Sequence, residues 1–235
     1  MAVAAPDGAL VEDLRDRLRA AADPVKAPVM QAYMKSALPY RGVPSPVARV
    51  LFREALAEHP VPDRATWLAT VRELWDGAAY REERYAALAV VRDRRYAGYR
   101  DTEALPLYRH LLSTGAWWDV VDDVATHLVG PLMLDHPEVV GPVLREWAVD
   151  DDRWLRRTAV ICQVGAKDRA DLDLLGFAAE ANLDDRDFFL RKAIGWALRQ
   201  QARTDPDWVR AFVAAHDDRI SGLSRREALK HLEAS

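Results

Sequence analysis

Ala116-Trp117-Trp118-Asp119-Val120-Val121-Asp122-Asp123-Val124-Ala125 runs two adjacent tryptophans straight into three carboxylates. Read with a period of about 3.6, Trp117, Val121, Val124 and Leu128 form an apolar stripe. Trp118 and Asp122, four residues apart, share the stripe beside it. The stretch is therefore predicted as a helix that anchors on one tryptophan and holds the other next to a carboxylate. Taken alone, the same pattern also describes a half-buried packing tryptophan beside a solvated charge, so the rest of the chain has to decide between them.

The helical period extends in both directions. From Gly8 onward the chain is a succession of amphipathic segments of roughly 10 to 18 residues, punctuated by Pro, Gly, Asp or Ser, without a sustained period-two pattern. Upstream, a helix over 10–22 sets Leu10, Leu14, Leu18 and Ala21 on one face. Asp23-Pro24 then caps and starts a second helix carrying Val29, Met30, Tyr33 and Met34. The loop 38–46, stiffened by Pro39, Pro44 and Pro46, exposes Arg41 and offers Ser45 as the cap of a helix over 46–58, where an anion can be met. Helices over 65–75, 78–94 and 102–112 follow, with Arg92, Arg94 and Arg95 grouped on the second.

Downstream, helices are predicted over 137–148, 153–165, 172–181, 188–200 and 206–215. A last short one is opened by Ser224 and Glu227 as a capping box. The run Asp150-Asp151-Asp152 complements the dipole of the helix it precedes. Short connections imply neighbouring helices, and pairs recurring at roughly 35 to 45 residues fit stacked helical hairpins of the HEAT kind. The expected fold is all-α: a right-handed superhelical solenoid with a concave face. No Gly- or Ser-rich linker interrupts it, so a single domain over 1–235 is expected, with residues 1–7 as a flexible tail.

A net charge of -4 excludes a uniformly basic nucleic-acid binder, so the placement of the 33 Lys and Arg matters more than their number. Lys192, Trp196, Arg199 and Arg203 recur at helical spacing as a basic stripe with an aromatic ring embedded in it, and Arg153 and Arg157 lie one turn apart. Cys162 stands alone, which excludes an intramolecular disulfide and suits an apolar core position. Six histidines without HExxH or CxxC spacing give no metal signal. Neither a signal peptide nor a membrane-length apolar run is visible. The expectation is a cytoplasmic monomer without metal or cofactor and without membrane association, joining the nucleoid when bound to DNA.

Three separated stretches carry a resemblance: 117–122, 154–159 (Trp154-Leu155-Arg156-Arg157-Thr158-Ala159) and 188–199 (Phe188-Phe189-Leu190 through Leu198-Arg199). With Tyr33-Met34-Lys35, Gly42-Val43-Pro44-Ser45-Pro46 and Leu223-Ser224-Arg225-Arg226-Glu227-Ala228, they make nearly the whole chain resemble the AlkD-type DNA alkylation repair glycosylases. That resemblance implies HEAT-like repeats holding double-stranded DNA in the concave face and removing cationic N3- or N7-alkylated purines. Carried over by position, it puts the catalytic carboxylate on Asp122, the aromatic walls on Trp118 and Trp196, and the cleft arginine on Arg157. Tyr33 falls near the lesion-bearing backbone. Pro44 departs from the polar residue expected there, which bears on one loop contact to DNA.

An N-alkylated purine is already a cation and leaves without a strong general acid. The enzyme needs negative charge for the developing sugar cation and a placed water. Asp122 fits that need, with the tryptophans adding cation–π attraction and Arg157 serving as a phosphate clamp. Tyr33, Arg41, Ser45, Arg153, Lys192, Arg199 and Arg203 are the expected DNA contacts. The resemblance further implies that the lesion stays stacked and is not flipped into a pocket, so bulky adducts are tolerated. The Trp-Trp-Asp helix holds no lysine for a Schiff base, and a monofunctional enzyme leaving an abasic site is expected. The other function class that fits the same basic groove is a non-catalytic HEAT-repeat protein binding distorted or branched DNA or a protein partner. A carboxylate among the basic residues argues against it, because it repels phosphate.

Overall fold

The structure, a computed structural model, describes residues 4–232; every regular element among them is helical, as expected. The chain packs as two compact units that divide after Tyr99.

The first unit holds α1 (Gly8–Ala20), α2 (Lys26–Met34), α3 (Ser45–Glu58), α4 (Arg64–Asp76) and α5 (Arg81–Arg92). Leu10, Leu14 and Leu18 of α1 are buried as the periodicity predicts, and α1 packs against α3, α4 and α5, where Phe52, Leu56, Trp67, Val71 and Leu74 are also buried. Of the expected tail, residues 1–3 lie outside the described residues. Asp7 is held in place: its side chain caps α1 by accepting from Leu10 N at 3.0 Å, and its own N–H donates to Thr70 Oγ1 at 2.8 Å.

Asp23 accepts from the N–H groups of Val25 and Lys26, both at 3.0 Å, and α2 starts two residues later than Pro24. Ser45 is not a cap. Pro44 occupies the N-cap position, and Ser45 is the exposed first residue of α3. Nor is Arg41 a free cation: the guanidinium lies 3.7 Å over the Tyr80 ring and donates to Glu83 at 3.4 Å. Beneath this loop the buried Glu82 accepts from the backbone N–H groups of Arg41, Gly42 and Val43. A loop whose buried amides all need acceptors draws a carboxylate inward. Arg41, the nearest cation, is held with it.

The second unit holds α6 (Leu105–Gly115), α7 (Trp118–Val124), α8 (Gly130–Asp135), α9 (Pro137–Trp147), α10 (Arg153–Ile161), α11 (Leu172–Glu180), α12 (Phe188–Gln201), α13 (Pro206–Ala215) and α14 (Gly222–Leu229). Helix α10 is central to it, packing against α6, α7, α9, α11 and α12. Leu155, Ala159 and Cys162 are buried there, and burial pushes the Cys162 thiol up to about 12, so it stays protonated and unreactive at neutral pH. Asp63, Asp152, Asp187 and Asp205 each accept from a backbone N–H in the first turn of the helix they precede. No described helix is long and apolar enough to cross a membrane.

The last helix differs from expectation. Ser221, not Ser224, caps α14, accepting from Ser224 N at 3.0 Å. Ser224 faces α12 instead and donates to the Arg191 carbonyl at 2.9 Å. The two helices touch closely because Gly195 sits between them: a Cβ there would stand 2.5 Å from Glu227 Cβ and 3.0 Å from the Ser224 carbonyl oxygen. Gly195→Ala is expected to force α14 outward and to destabilise the protein by about 2 kcal/mol, in the range for inserting a methyl into a tight contact. Urea unfolding followed by far-UV circular dichroism measures it, and an unchanged midpoint would show that α14 moves freely.

Candidate active site

A change of backbone separates the two tryptophans. Trp117 is extended (φ -152°, ψ 150°) and precedes the helix, while Trp118 is the first residue of α7. The expected stripe therefore loses its first member and starts at Val121, with Val121, Val124 and Leu128 buried. Trp117 instead meets Trp154 and Phe189 edge-on, with ring centroids 6.1 and 5.4 Å away. Trp118 goes the other way, 37% exposed, into an open groove of about 400 Å³. The groove is lined by Trp118, Asp122, Arg157, Phe188, Phe189, Lys192, Trp196, Arg199 and Glu227. The four expected site residues, Trp118, Asp122, Arg157 and Trp196, thus meet in one place although they come from α7, α10 and α12.

At the groove's floor the Arg157 guanidinium grips Asp122. Its Nε donates to Oδ1 at 2.7 Å and its Nη2 to Oδ2 at 2.8 Å, while Nη1 donates to the Phe189 carbonyl at 2.5 Å. The arginine side chain is 6% exposed and the carboxylate 22%. Such a two-pronged pair is a fixed dipole, and its carboxylate is the more accessible end. Arg157 is consequently not the phosphate clamp expected of it: its fork is spent on one carboxylate and one carbonyl. It orients Asp122.

The basic stripe is also rearranged. Lys192 Nζ donates to Glu227 Oε1 at 3.1 Å, and Arg199 pairs with the other oxygen of the same carboxylate. Both cations were expected to be open to phosphate, and an acid from α14 engages both. The hydrogen bond from Lys192, with the charge of Arg199 beside it, holds the Glu227 carboxyl below the usual range. Helix α12 ends at Gln201, so Arg203 falls in the turn that follows. It is exposed, makes no ion pair among the described residues, and lines a separate cavity of about 220 Å³ with Gln200, Gln201 and Lys167. Arg153 donates to Asp187 at 2.9 Å and lies over the Trp154 ring at 4.9 Å.

Tyr33, Arg41 and Ser45 belong to the first unit. Tyr33 is 75% exposed on α2, a helix with no buried residue. Metal-ligand spacing occurs once among the described residues, in that same unit, where Asp13, Glu58 and His59 bring ligand atoms within 4.8 Å of one another. Arg17 already bridges the two carboxylates, at 2.9 and 2.6 Å. Of the groove residues outside the expected site, Phe188, Phe189 and Glu227, the charged one is Glu227. Its spacing from Ser224 assigned it to a cap, and no pattern within one helix reveals that it faces Lys192 and Arg199 across another.

The sequence profile of the DNA alkylation repair enzymes matches residues 14–232. The chain belongs to this family. A solved structure described as a predicted DNA alkylation repair enzyme from Enterococcus faecalis is similar to it, with a TM-score of 0.82 at 26% identity, covering 91% of this chain and 98% of that one. No curated protein matches the chain. Membership makes the protein a DNA repair enzyme, and DNA is its partner.

Two measurements probe the groove. Arg157→Lys replaces a planar fork by a point charge that cannot grip both carboxylate oxygens and also reach the Phe189 carbonyl. It is expected to cost about 2 kcal/mol in urea unfolding, the scale of a charge-assisted hydrogen bond lost while the charge itself is kept. Glu227 carries a lowered folded-state pKa, so its contribution to stability is present above the unfolded carboxylate value and is lost as pH falls through the folded one. Glu227→Gln is accordingly expected to flatten the acid limb of a melting-temperature profile, and an unaltered limb would mean that the contact does not persist in solution.

Proposed function

We propose that the protein is a monofunctional DNA glycosylase that hydrolyses the N-glycosidic bond of cationic N3- or N7-alkylated purines in duplex DNA and leaves an abasic site. The observation that carries this is the Asp122–Arg157 pair, with its carboxylate end accessible in a groove that Trp118 and Trp196 also line. A site of this form suits a reaction in which positive charge moves from the alkylated base to the deoxyribose. The carboxylate stabilises charge at the sugar and accepts a hydrogen bond from the attacking water, while the indole faces attract the cationic centre by about 0.5 to 2 kcal/mol each. The base departs neutral, so no strong general acid is required.

The openness of the groove supports a lesion contacted from outside the base stack and not enclosed in a pocket, and such an arrangement tolerates bulky adducts. Burial of Arg157 behind Asp122 means that phosphates are held elsewhere. Arg203, with no ion pair among the described residues, is better suited to that task than Lys192 or Arg199. Tyr33, exposed on α2, is retained as a backbone contact.

The test is base release from duplexes carrying 7-methylguanine or 3-methyladenine, with wild type and Asp122→Asn compared under single-turnover conditions. Loss of the carboxylate's charge is expected to slow release by roughly 100- to 1000-fold, the scale of a lost transition-state electrostatic contact. Affinity for the duplex should hold or rise slightly, because a charge that repels phosphate is gone. Tight duplex binding without any release by the wild type would favour the non-catalytic DNA-binding class.

A further inference from the structure

Lys192 lies one turn before Trp196 and Arg199 three residues after it, so a long cation flanks the Trp196 face on either side. A cation beside an aromatic ring is attracted to its face. Elsewhere in this protein guanidinium groups lie over such faces: Arg41 over Tyr80 at 3.7 Å and Arg84 over Trp75 at 4.9 Å. Among the described residues none lies over Trp196 or Trp118. Both candidates for Trp196 are drawn to the Glu227 carboxylate, which reaches them because Gly195 lets α14 approach α12 backbone to side chain. The Ser224 hydroxyl, bonded to the Arg191 carbonyl, fixes the register of that approach.

We infer that Glu227 is a positioning residue of the active site: it holds Lys192 and Arg199 away from the Trp196 ring, leaving that face open to the cationic sugar and base of the substrate. This rests on the glycosylase reading above. It adds a reason for substrate selectivity. The wall formed by Lys192, Arg199 and Glu227 has one net positive charge; without the carboxylate it would have two, and one of those cations would take the place meant for the substrate. The lowered pKa of the Glu227 carboxyl keeps the tie intact through the mildly acidic range.

The experiment measures single-turnover release of 7-methylguanine and affinity for undamaged duplex with wild type, Glu227→Gln, and Glu227→Gln combined with Lys192→Gln and Arg199→Gln. Glu227→Gln is expected to slow release about tenfold, within the range that a cation on an indole face is worth. The same variant should bind undamaged duplex more tightly with a steeper salt dependence, because it gains net positive charge. The triple variant leaves neither cation to lie on the Trp196 ring and should regain most of the lost rate, which a purely structural role for Glu227 does not predict. A single variant within twofold of wild type, or a triple variant no faster than the single one, would overturn the inference while leaving the glycosylase reading intact. Absence of release by the wild type would instead overturn the glycosylase reading and this inference together.

Discussion

The second unit depends on a single buried guanidinium. Taking Arg157 out of water costs several kcal/mol unless its donors find acceptors in good geometry. Here the three donor nitrogens reach acceptors on two other helices: both oxygens of Asp122 on α7 and the carbonyl of Phe189 at the start of α12. A slip of α7 or α12 by one residue would leave the charge buried without a partner. The contact that locks three helices in register is therefore also the contact that aims the carboxylate. Fold and site are specified together, and neither can drift without the other.

Around this pair, packing decides which side is wet. Trp117 meets Trp154 and Phe189 edge-on, those two rings lie tilted with centroids 5.1 Å apart, and Trp118 is left to the groove. Adjacent indoles can take opposite duties only because the backbone passes from extended to helical between them. Asp187 contributes in the same way at the other wall: by capping α12 at Phe189 and Leu190, it sets where the Phe189 carbonyl lies for Arg157 to reach.

Much of this was legible in the chain. Periodicity locates the helices, and acidic caps such as Asp63 and Asp187 mark their starts, because capping is a local event within four residues. The convergence of Trp118, Asp122, Arg157 and Trp196 came through the family resemblance, since spacing within a helix fixes only the angle around that helix's own axis. The partners of long charged side chains were not legible for the same reason. Lys192 and Arg199 looked like a solvated or DNA-facing stripe until the approach of α14 at Gly195 brought Glu227 across. Arg41 looked free until the backbone amides of its loop drew Glu82 inward beneath it. Arg203 looked like a continuation of the stripe, but α12 ends two residues short of it. In each case the missing information was the distance between elements remote in sequence.

Pairing also resolves a conflict inherent in cleaving a cationic base from a polyanion. A bare carboxylate at the sugar stabilises the transition state but repels every approaching phosphate. Tied to Arg157, Asp122 has almost no net charge when viewed from beyond a Debye length of about 8 Å at physiological salt, where DNA is first encountered. At contact distance the dipole remains, with its carboxylate the more accessible end. Glu227 makes the complementary arrangement with Lys192 and Arg199, tempering a cationic wall that would otherwise compete with the substrate's own charge. In the proposed reaction the groove thus presents a modest positive far field and a strong, oriented near field. That combination favours recognition of the lesion by charge at the sugar over recognition of base identity.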